Sequence, residues 1–394
     1  MSSLQDDFED IWAGGDNEFH RAWSEQASAK HAAPSLAAAN ALNKIYPNHS
    51  LVMTTQDVLR LPEVHSTRMT DAPLLTTTRV ALVSRGWLLG FNIYVMHFVL
   101  HEGPNEHPRA LVLAAGIYDQ DLHEEIWVFN QGFWTKSHAL WLDVQSADWK
   151  DVILTDEFKT ALKKDVYGFF KSEPIYKELA IPWKRGIIMW GPPGNGKTIS
   201  IKVIMKTCDA LGFAPLYVKS FQSFWGEETS MQDVFTKARQ LAPCVMVLED
   251  LDALINDRNR SFFFNQLDGL QGNDGLLVIG TTNHLDRLDP GLSSRPSRFD
   301  RKYLFDDPSR DARLLYAKWW QDKLQNNTAI DYPDALVEEV ADTTAGFSFA
   351  YLKEAFVSCL VTLAGWEGDD KPAFSDALRK QIKMLRKQLE SVQN

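Results

Sequence analysis

The 394-residue chain predicts an α/β protein: a parallel sheet covered by helices on both faces, followed by a C-terminal helical subdomain and preceded by a separate small α+β unit. Three observations carry this reading. From about Trp149 short apolar runs alternate with amphipathic segments, one junction between them holds a glycine-rich loop, and after about Asp307 no strand-like run remains.

Composition bounds the rest. At roughly 150 residues per domain the length allows two or three domains. With 45% hydrophobic and 11% aromatic residues the chain is able to bury a large core, so global disorder is excluded. Cys208, Cys244 and Cys359 are widely spaced and odd in number, with no CxxC pair, which points to a reducing compartment rather than to a disulfide framework or a zinc site. A net charge of −11 argues against a protein that coats nucleic acid. Residues 1–155 hold 10 Lys+Arg against 19 Asp+Glu, and the remainder is nearly balanced at 31 against 33, so the N-terminal part differs in kind.

Along the chain, residues 35–45 are Ala-rich enough for a helix, and Thr78 to Leu142 is strand-like. Within it, Trp87 to Leu100 and Ala110 to Tyr118 read as an antiparallel pair joined by Gly-Pro-Asn at 103–105. Trp87 to Leu100 is too short and, with Asn92 and His97, too polar to span a bilayer. The opening MSSLQDDFEDIW fits neither a secretory signal nor a transit peptide, so the expected location is cytoplasmic or nuclear. The expected divisions are 1–148, 149–307 and 308–394. Five strands are expected in the second, at Gly186–Trp190, Pro215–Val218, Val245–Leu248, Leu276–Ile279 and Lys302–Phe305. Helices are expected in the third at Ala312–Lys323, Asp334–Ala341, Ala350–Ala364 and Ser375–Val392.

Between the first of those strands and its helix stand Gly191, Pro192, Pro193, Gly194, Asn195, Gly196, Lys197 and Thr198, a full match to GxxxxGK[ST] in the required setting. Glycines let successive N–H groups turn onto a phosphate, and the helix directs its positive end at the same anion. Lys197 would reach the β and γ oxygens, and Thr198 would hold Mg²⁺. The sheet is thus that of a P-loop NTPase. About 50 residues on, the apolar run Val245–Leu248 ends in Glu249-Asp250, carboxylates at the strand edge that faces the ligand crevice of an open sheet. There Glu249 could orient hydrated Mg²⁺ while Asp250 polarises the attacking water. The next strand ends in Gly-Thr-Thr-Asn283, which brings an amide to the same crevice.

GPPGNGKT, VMVLEDLDAL, VIGTTNHLDRLDP and RPSRFDR, in this order, resemble the AAA ATPases of the AAA+ superfamily, over about Trp149 to Ala364. That resemblance implies ATP bound between a P-loop subdomain and a helical lid, in a ring, usually hexameric, whose sites are each completed by a neighbour. By position, Asn283 resembles the sensor that aligns water, Arg295 and Arg298 the arginine fingers, and Ala350 the small lid residue near adenine. Phe224-Trp225-Gly226 resembles the pore loop that grips a polypeptide; two adjacent aromatics are also common in cores.

The acids stand as Glu249-Asp250 rather than the usual Asp-Glu, and a displacement of about 1 Å at a catalytic position costs on the order of 100-fold. That order, with TTNHLDRLDP, resembles the branch containing the mitochondrial AAA translocase that assembles respiratory complex III, in a soluble relative that lacks its membrane helix. The expected activity is Mg-ATP hydrolysis driving remodelling of a protein partner, with nucleic acid unlikely as a partner; the alternative is a nucleotide-switched scaffold with weak ATPase. His97, His101 and His107 read as scattered surface or packed residues. The face made by Leu378, Ile382, Leu385 and Leu389 reads as a packed lid helix.

Overall fold

The computed structural model describes residues 34–54, 75–85, 91–102, 104–107, 109–110, 113 and 122–393, apart from 269–271, 294, 296, 328–329 and 368–369. It divides into two units, Met1–Leu122 and His123–Asn394.

In the first unit, helix α1 (Pro34–Ile45) covers the expected Ala-rich stretch and is followed by strands β1 (His49–Thr54), β2 (Leu75–Arg85) and β3 (Phe91–Glu102). β3 is central, antiparallel to both neighbours, with His49 opposite Glu102 and Leu75 opposite His101. The partner expected for it at Ala110–Tyr118 differs where it is described: Ala110 and Leu113 are helical, and residues 111, 112 and 114–118 lie outside the described residues. Ala and Leu are strong helix formers, whereas the runs that do pair with β3 are rich in Thr and Val. His101 is buried and its Nε2 lies 3.0 Å from Nδ1 of His107, but among the described residues no group of three His, Cys, Asp or Glu is placed to hold a metal.

The second unit is built on seven strands: β4 (Ile126–Asn130), β5 (Phe133–Ser137), β6 (Lys184–Trp190), β7 (Ala214–Val218), β8 (Cys244–Leu248), β9 (Leu276–Thr282) and β10 (Arg301–Leu304). Their order is β10-β6-β9-β8-β7-β4-β5, parallel except for the β4–β5 hairpin. The five expected strands are β6 to β10. The hairpin falls on this side of the division at His123, short of the expected boundary at 148, because β4 pairs with β7, with Trp127 opposite Leu216. Its alternating pattern resembles that of the strands before it, and only the pairing register separates them.

Helices α2 (His138–Gln145), α3 (Asp156–Lys171), α4 (Lys197–Ala210), α5 (Glu227–Gln240) and α6 (Arg260–Asp268) cover the sheet. Both faces of its middle are apolar. Met246 and Leu248 face a core with Phe235 and Phe263, while Val245 and Val247 face one with Leu162, Ile201 and Ile204. That is why β8 reads as an unbroken apolar run rather than an alternation. Each fully buried aliphatic or Phe side chain here contributes about 1.5–3 kcal/mol. The lid is α7 (Arg310–Leu324), α8 (Asp334–Thr343), α9 (Phe349–Ala364) and α10 (Phe374–Gln393), around a core of Tyr316, Phe347, Phe356 and Leu378. Ile382 and Leu385 are buried in that core and Leu389 packs on it, so the apolar face of α10 is a packed lid face. Among the described residues no helix is long and apolar enough to cross a membrane.

Candidate nucleotide site

The glycine-rich loop turns at the C-terminal end of β6. Gly191 has φ +136° and a Cβ there would collide with the carbonyl oxygen of Phe305; Gly194 has φ +83° and a Cβ there would stand 2.7 Å from the Cβ of Ala350. Neither position admits a side chain. The loop ends on α4, whose first residue is Lys197 and whose cap, Gly196, is left-handed. Lys197 Nζ donates to the carbonyls of Gly191 and Pro192 at 2.6 and 2.8 Å. Burial holds its ammonium below the usual lysine range, with the charge of Asp250 acting in the opposite sense. A phosphate anion delivered to this point would relieve that burial cost.

Pro193, Gly194, Gly196, Lys197 and Thr198 line a cavity of about 640 Å³, and Glu249, Asp250, Asn283 and Ala350 line it with them. The sequence-predicted residues therefore converge on one space from three strand ends and the lid. Gly191 and Pro192 stand behind it, through the carbonyls that hold Lys197. Asn195 is buried and faces the lid: Nδ2 donates to Asp307 Oδ1 at 2.8 Å, and Oδ1 accepts from Phe349 N at 3.2 Å.

The two acids are held differently. Tyr217, on β7, donates its hydroxyl hydrogen to Glu249 Oε2. Burial pushes the Tyr217 phenol well above its usual range, and the hydrogen bond to Glu249 adds to it. Asp250 sits in the left-handed region at φ 52°, and its N–H donates to Thr281 Oγ1 at 3.1 Å. Carboxylate and hydroxyl oxygens beside a lysine form a hard-oxygen donor set that suits magnesium carried on a nucleotide, and Thr198 and Glu249, which line the cavity, could hold it. Val152, Ile153, Tyr316, Trp319 and Phe349 also line the cavity and give it apolar, partly aromatic surface of the kind a nucleobase needs. Trp319 is fixed there by its Nε1 bond to Asp151 at 3.1 Å and by Lys323 3.7 Å above its ring. Sequence reading missed Tyr217 and this aromatic wall, whose local signal is the doubled Trp319-Trp320 within a helical segment.

Arg295 and Arg298 are not in this cavity. They line a second one, of about 500 Å³, with Lys184 and Gly186 at the opposite end of β6, a strand of seven residues and so about 20 Å long. Arg298 is spent internally: Nε donates to Asp268 at 2.7 Å, one terminal nitrogen to the carbonyl of Gly291 at 2.8 Å, and the guanidinium lies 3.8 Å over Phe264. The Arg295 side chain is 61% exposed and 3.9 Å from Asp268. Phe224 and Trp225 are 78% and 64% exposed, so they are not core residues, and Gly226 leads directly into α5.

Residues 187–307 match the family described as "ATPase family associated with various cellular activities (AAA)". The chain is 31% identical over 222 residues to a cell division cycle protein 48 homolog of Archaeoglobus fulgidus, covering 53% of this chain and 29% of that protein. It is 27% identical to an ATP-dependent zinc metalloprotease FtsH 2 of Salinibacter ruber, covering 62% and 36%. It is 30% identical to the ribosome biogenesis ATPase RIX7 of Saccharomyces cerevisiae, covering 43% and 22%. The matched part thus spans between a fifth and two fifths of these relatives. The segment that matches the AAA ATPase family runs from β6 through Asp307 and contains the loop, both acids, Asn283 and both arginines.

Proposed function

We propose that this chain binds Mg-ATP and hydrolyses it, within a ring of identical subunits, hexameric in number, that remodels, unfolds or disassembles a protein partner. One observation carries the hydrolysis reading: Lys197, Thr198, Glu249, Asp250 and Asn283 line a single cavity together with Ala350 of the lid. Loop N–H groups and the N-terminus of the 14-residue helix α4 receive the phosphates. Lys197 pairs with the β and γ oxygens, Thr198 and Glu249 orient the metal, and Asp250 accepts the proton of a water that Asn283 aligns. Magnesium, arriving with the nucleotide, supplies charge neutralisation at the transferred phosphoryl group. Arg295 is the exposed arginine and acts on a neighbouring subunit's site, with Arg298 holding the segment that carries it.

Residues 1–122 serve as the adaptor that selects the partner, 123–307, including the β4–β5 hairpin, as the ATPase subdomain, and 308–394 as the lid. Phe224, Trp225 and Gly226 contact the polypeptide being moved. The Glu249-Asp250 order supports kinship with the branch of the complex III assembly translocase. The location is cytoplasmic or nuclear, and the negative net charge speaks against nucleic acid as the substrate. The shorter acid at position 250 also favours a second reading, a scaffold switched by nucleotide whose turnover is too slow to drive work.

Phosphate release assays test this. Wild-type protein should hydrolyse ATP only with Mg²⁺, Lys197→Ala should lose nucleotide binding, and Asp250→Asn should bind ATP without cleaving it. Wild-type protein that binds no ATP sinks both readings; binding with negligible turnover leaves the scaffold.

A further inference from the structure

The first acid of the pair is a glutamate, one methylene longer than the aspartate usual there, so its carboxylate has one more torsion to restrain. The structure restrains it from a neighbouring strand. β7 runs parallel to β8 with Tyr217 opposite Val247, two residues before Glu249. The ring packs against the core beneath α4, and its hydroxyl reaches past the strand end to donate to Glu249 Oε2. A side chain seated on a central strand, half-buried and engaged at its tip, is rigid in a way a loop residue is not. Asp250 is held separately, through its own N–H on Thr281.

We infer that Tyr217 is a positioning residue for Glu249: its phenol freezes the longer carboxylate at the cavity wall, so that the acid meets the magnesium of Mg-ATP without first losing side-chain freedom. This rests on the reading of the cavity as a Mg-ATP site. Freezing a torsion beforehand improves binding by removing an ordering cost, and a hydrogen bond to a charged group adds to it. The Mg²⁺ requirement is the quantity affected, rather than affinity for nucleotide alone.

The test is calorimetric titration of the full chain with ATP at stepped Mg²⁺ concentrations, and again in EDTA. Tyr217→Phe keeps the ring and removes one oxygen. It should raise the Mg²⁺ concentration for half-maximal binding on the order of tenfold, and leave the melting temperature and the binding in EDTA as in the wild type. In a Glu249→Asp background, where the shorter acid no longer reaches the phenol, Tyr217→Phe should shift nothing further. An unchanged Mg²⁺ midpoint in Tyr217→Phe, or the same shift in the Glu249→Asp background, overturns the assignment while leaving the proposed function intact. Wild-type binding that is indifferent to Mg²⁺ overturns both. A fall in melting temperature with a normal Mg²⁺ midpoint reduces the tyrosine to a packing residue and also refutes the inference.

Discussion

The side-chain oxygen of Asn195 accepts a hydrogen bond at 3.2 Å from the main-chain N–H of Phe349, 154 residues later, and so ties the phosphate loop to the first turn of lid helix α9. The link is doubled by Ala350 N, which donates to the carbonyl of Gly194 at 3.0 Å. Asn195 Nδ2 adds Asp307, at the junction of sheet and lid. Any shift of the loop on binding phosphate is therefore felt by the lid. Asn195→Ala should cost about 1–3 kcal/mol through the unpaired groups it leaves, a drop of a few degrees in melting temperature. It should also shrink the further rise that ATP produces. A thermal melt with and without ATP reads both, and an ATP-induced shift of full size would show that the coupling does not run through this side chain.

The contact between Gly194 and Ala350 is a second, steric coupling. An added methyl at 194 meets the Ala350 Cβ at 2.7 Å and must also adopt φ near +83°. Gly194→Ala should weaken nucleotide binding at least tenfold, and Gly194→Ala with Ala350→Gly should recover only part of it. The remainder measures the backbone strain, about 1–3 kcal/mol for a residue held in a sparsely populated region. Full recovery in the double variant would mean that space alone matters at this position.

Arg295 and Arg298, alike in the sequence motif, should behave oppositely. Arg298 is buried to 9% exposure and donates to Asp268, so Arg298→Ala leaves that partly buried carboxylate with only the longer contacts to Lys184 at 3.6 Å and Arg295 at 3.9 Å, and should destabilise the protein by about 1–3 kcal/mol. Arg295 is exposed, its pair at 3.9 Å is screened, and Arg295→Ala should leave the melting temperature alone. If it serves a neighbouring site, that variant should lose most of the ATPase activity. Mixing it with Asp250→Asn subunits should restore part of the activity, because each supplies what the other lacks. No recovery on mixing would count against a role across subunits.

How much was readable beforehand follows from how local each signal is. The loop from Gly191 to Thr198 is contiguous, and its spacing is dictated by one phosphate, so eight residues suffice to recognise it. The strands β6 to β9 centre on runs of buried apolar residues bounded by turns, again local, whereas β10 is an edge strand with only Tyr303 buried. Tyr217 was invisible because its role depends on β7 lying next to β8, a pairing no short stretch encodes. For the same reason β4 and β5 looked like part of the N-terminal unit: IWVFN and FWTKS alternate in the ordinary way, and only the pairing of Trp127 with Leu216 assigns them to the parallel sheet. The two arginines show the converse limit, since a motif names positions but burial decides which of them is free to act.

All three cysteines are buried and free. Burial pushes the thiols of Cys208 and Cys244 up to about 12 and that of Cys359 up to about 11. A thiol reagent at pH 8 should find no fast-reacting group in the native protein and three after denaturation. These groups ionise more readily unfolded than folded, near a thiol's ordinary 9.0. The unfolded state therefore sheds protons first, and their contribution is fully present below pH 9 and falls as pH rises toward 11 to 12. Urea titrations at stepped alkaline pH should show stability declining from about pH 9. Replacing Cys208 and Cys244 by alanine should flatten that decline, and an unaltered slope would place its origin elsewhere.

Exposure makes the Phe224-Trp225 pair the sharpest discriminator between a machine and a switch. The rings stand 5.3 Å apart, edge to face, at 78% and 64% exposure, so they contribute little to the fold that carries them. Flat apolar rings held out in solvent suit the grip of an extended polypeptide irrespective of its sequence. Trp225→Ala should therefore leave the melting temperature unchanged. If the ring drives polypeptide movement, the variant should unfold a tagged test substrate much less per ATP consumed. A scaffold requires no such grip: equal unfolding yield per ATP in wild type and variant would remove the pore-loop role, and no unfolding by either, alongside normal nucleotide binding, would favour the switch.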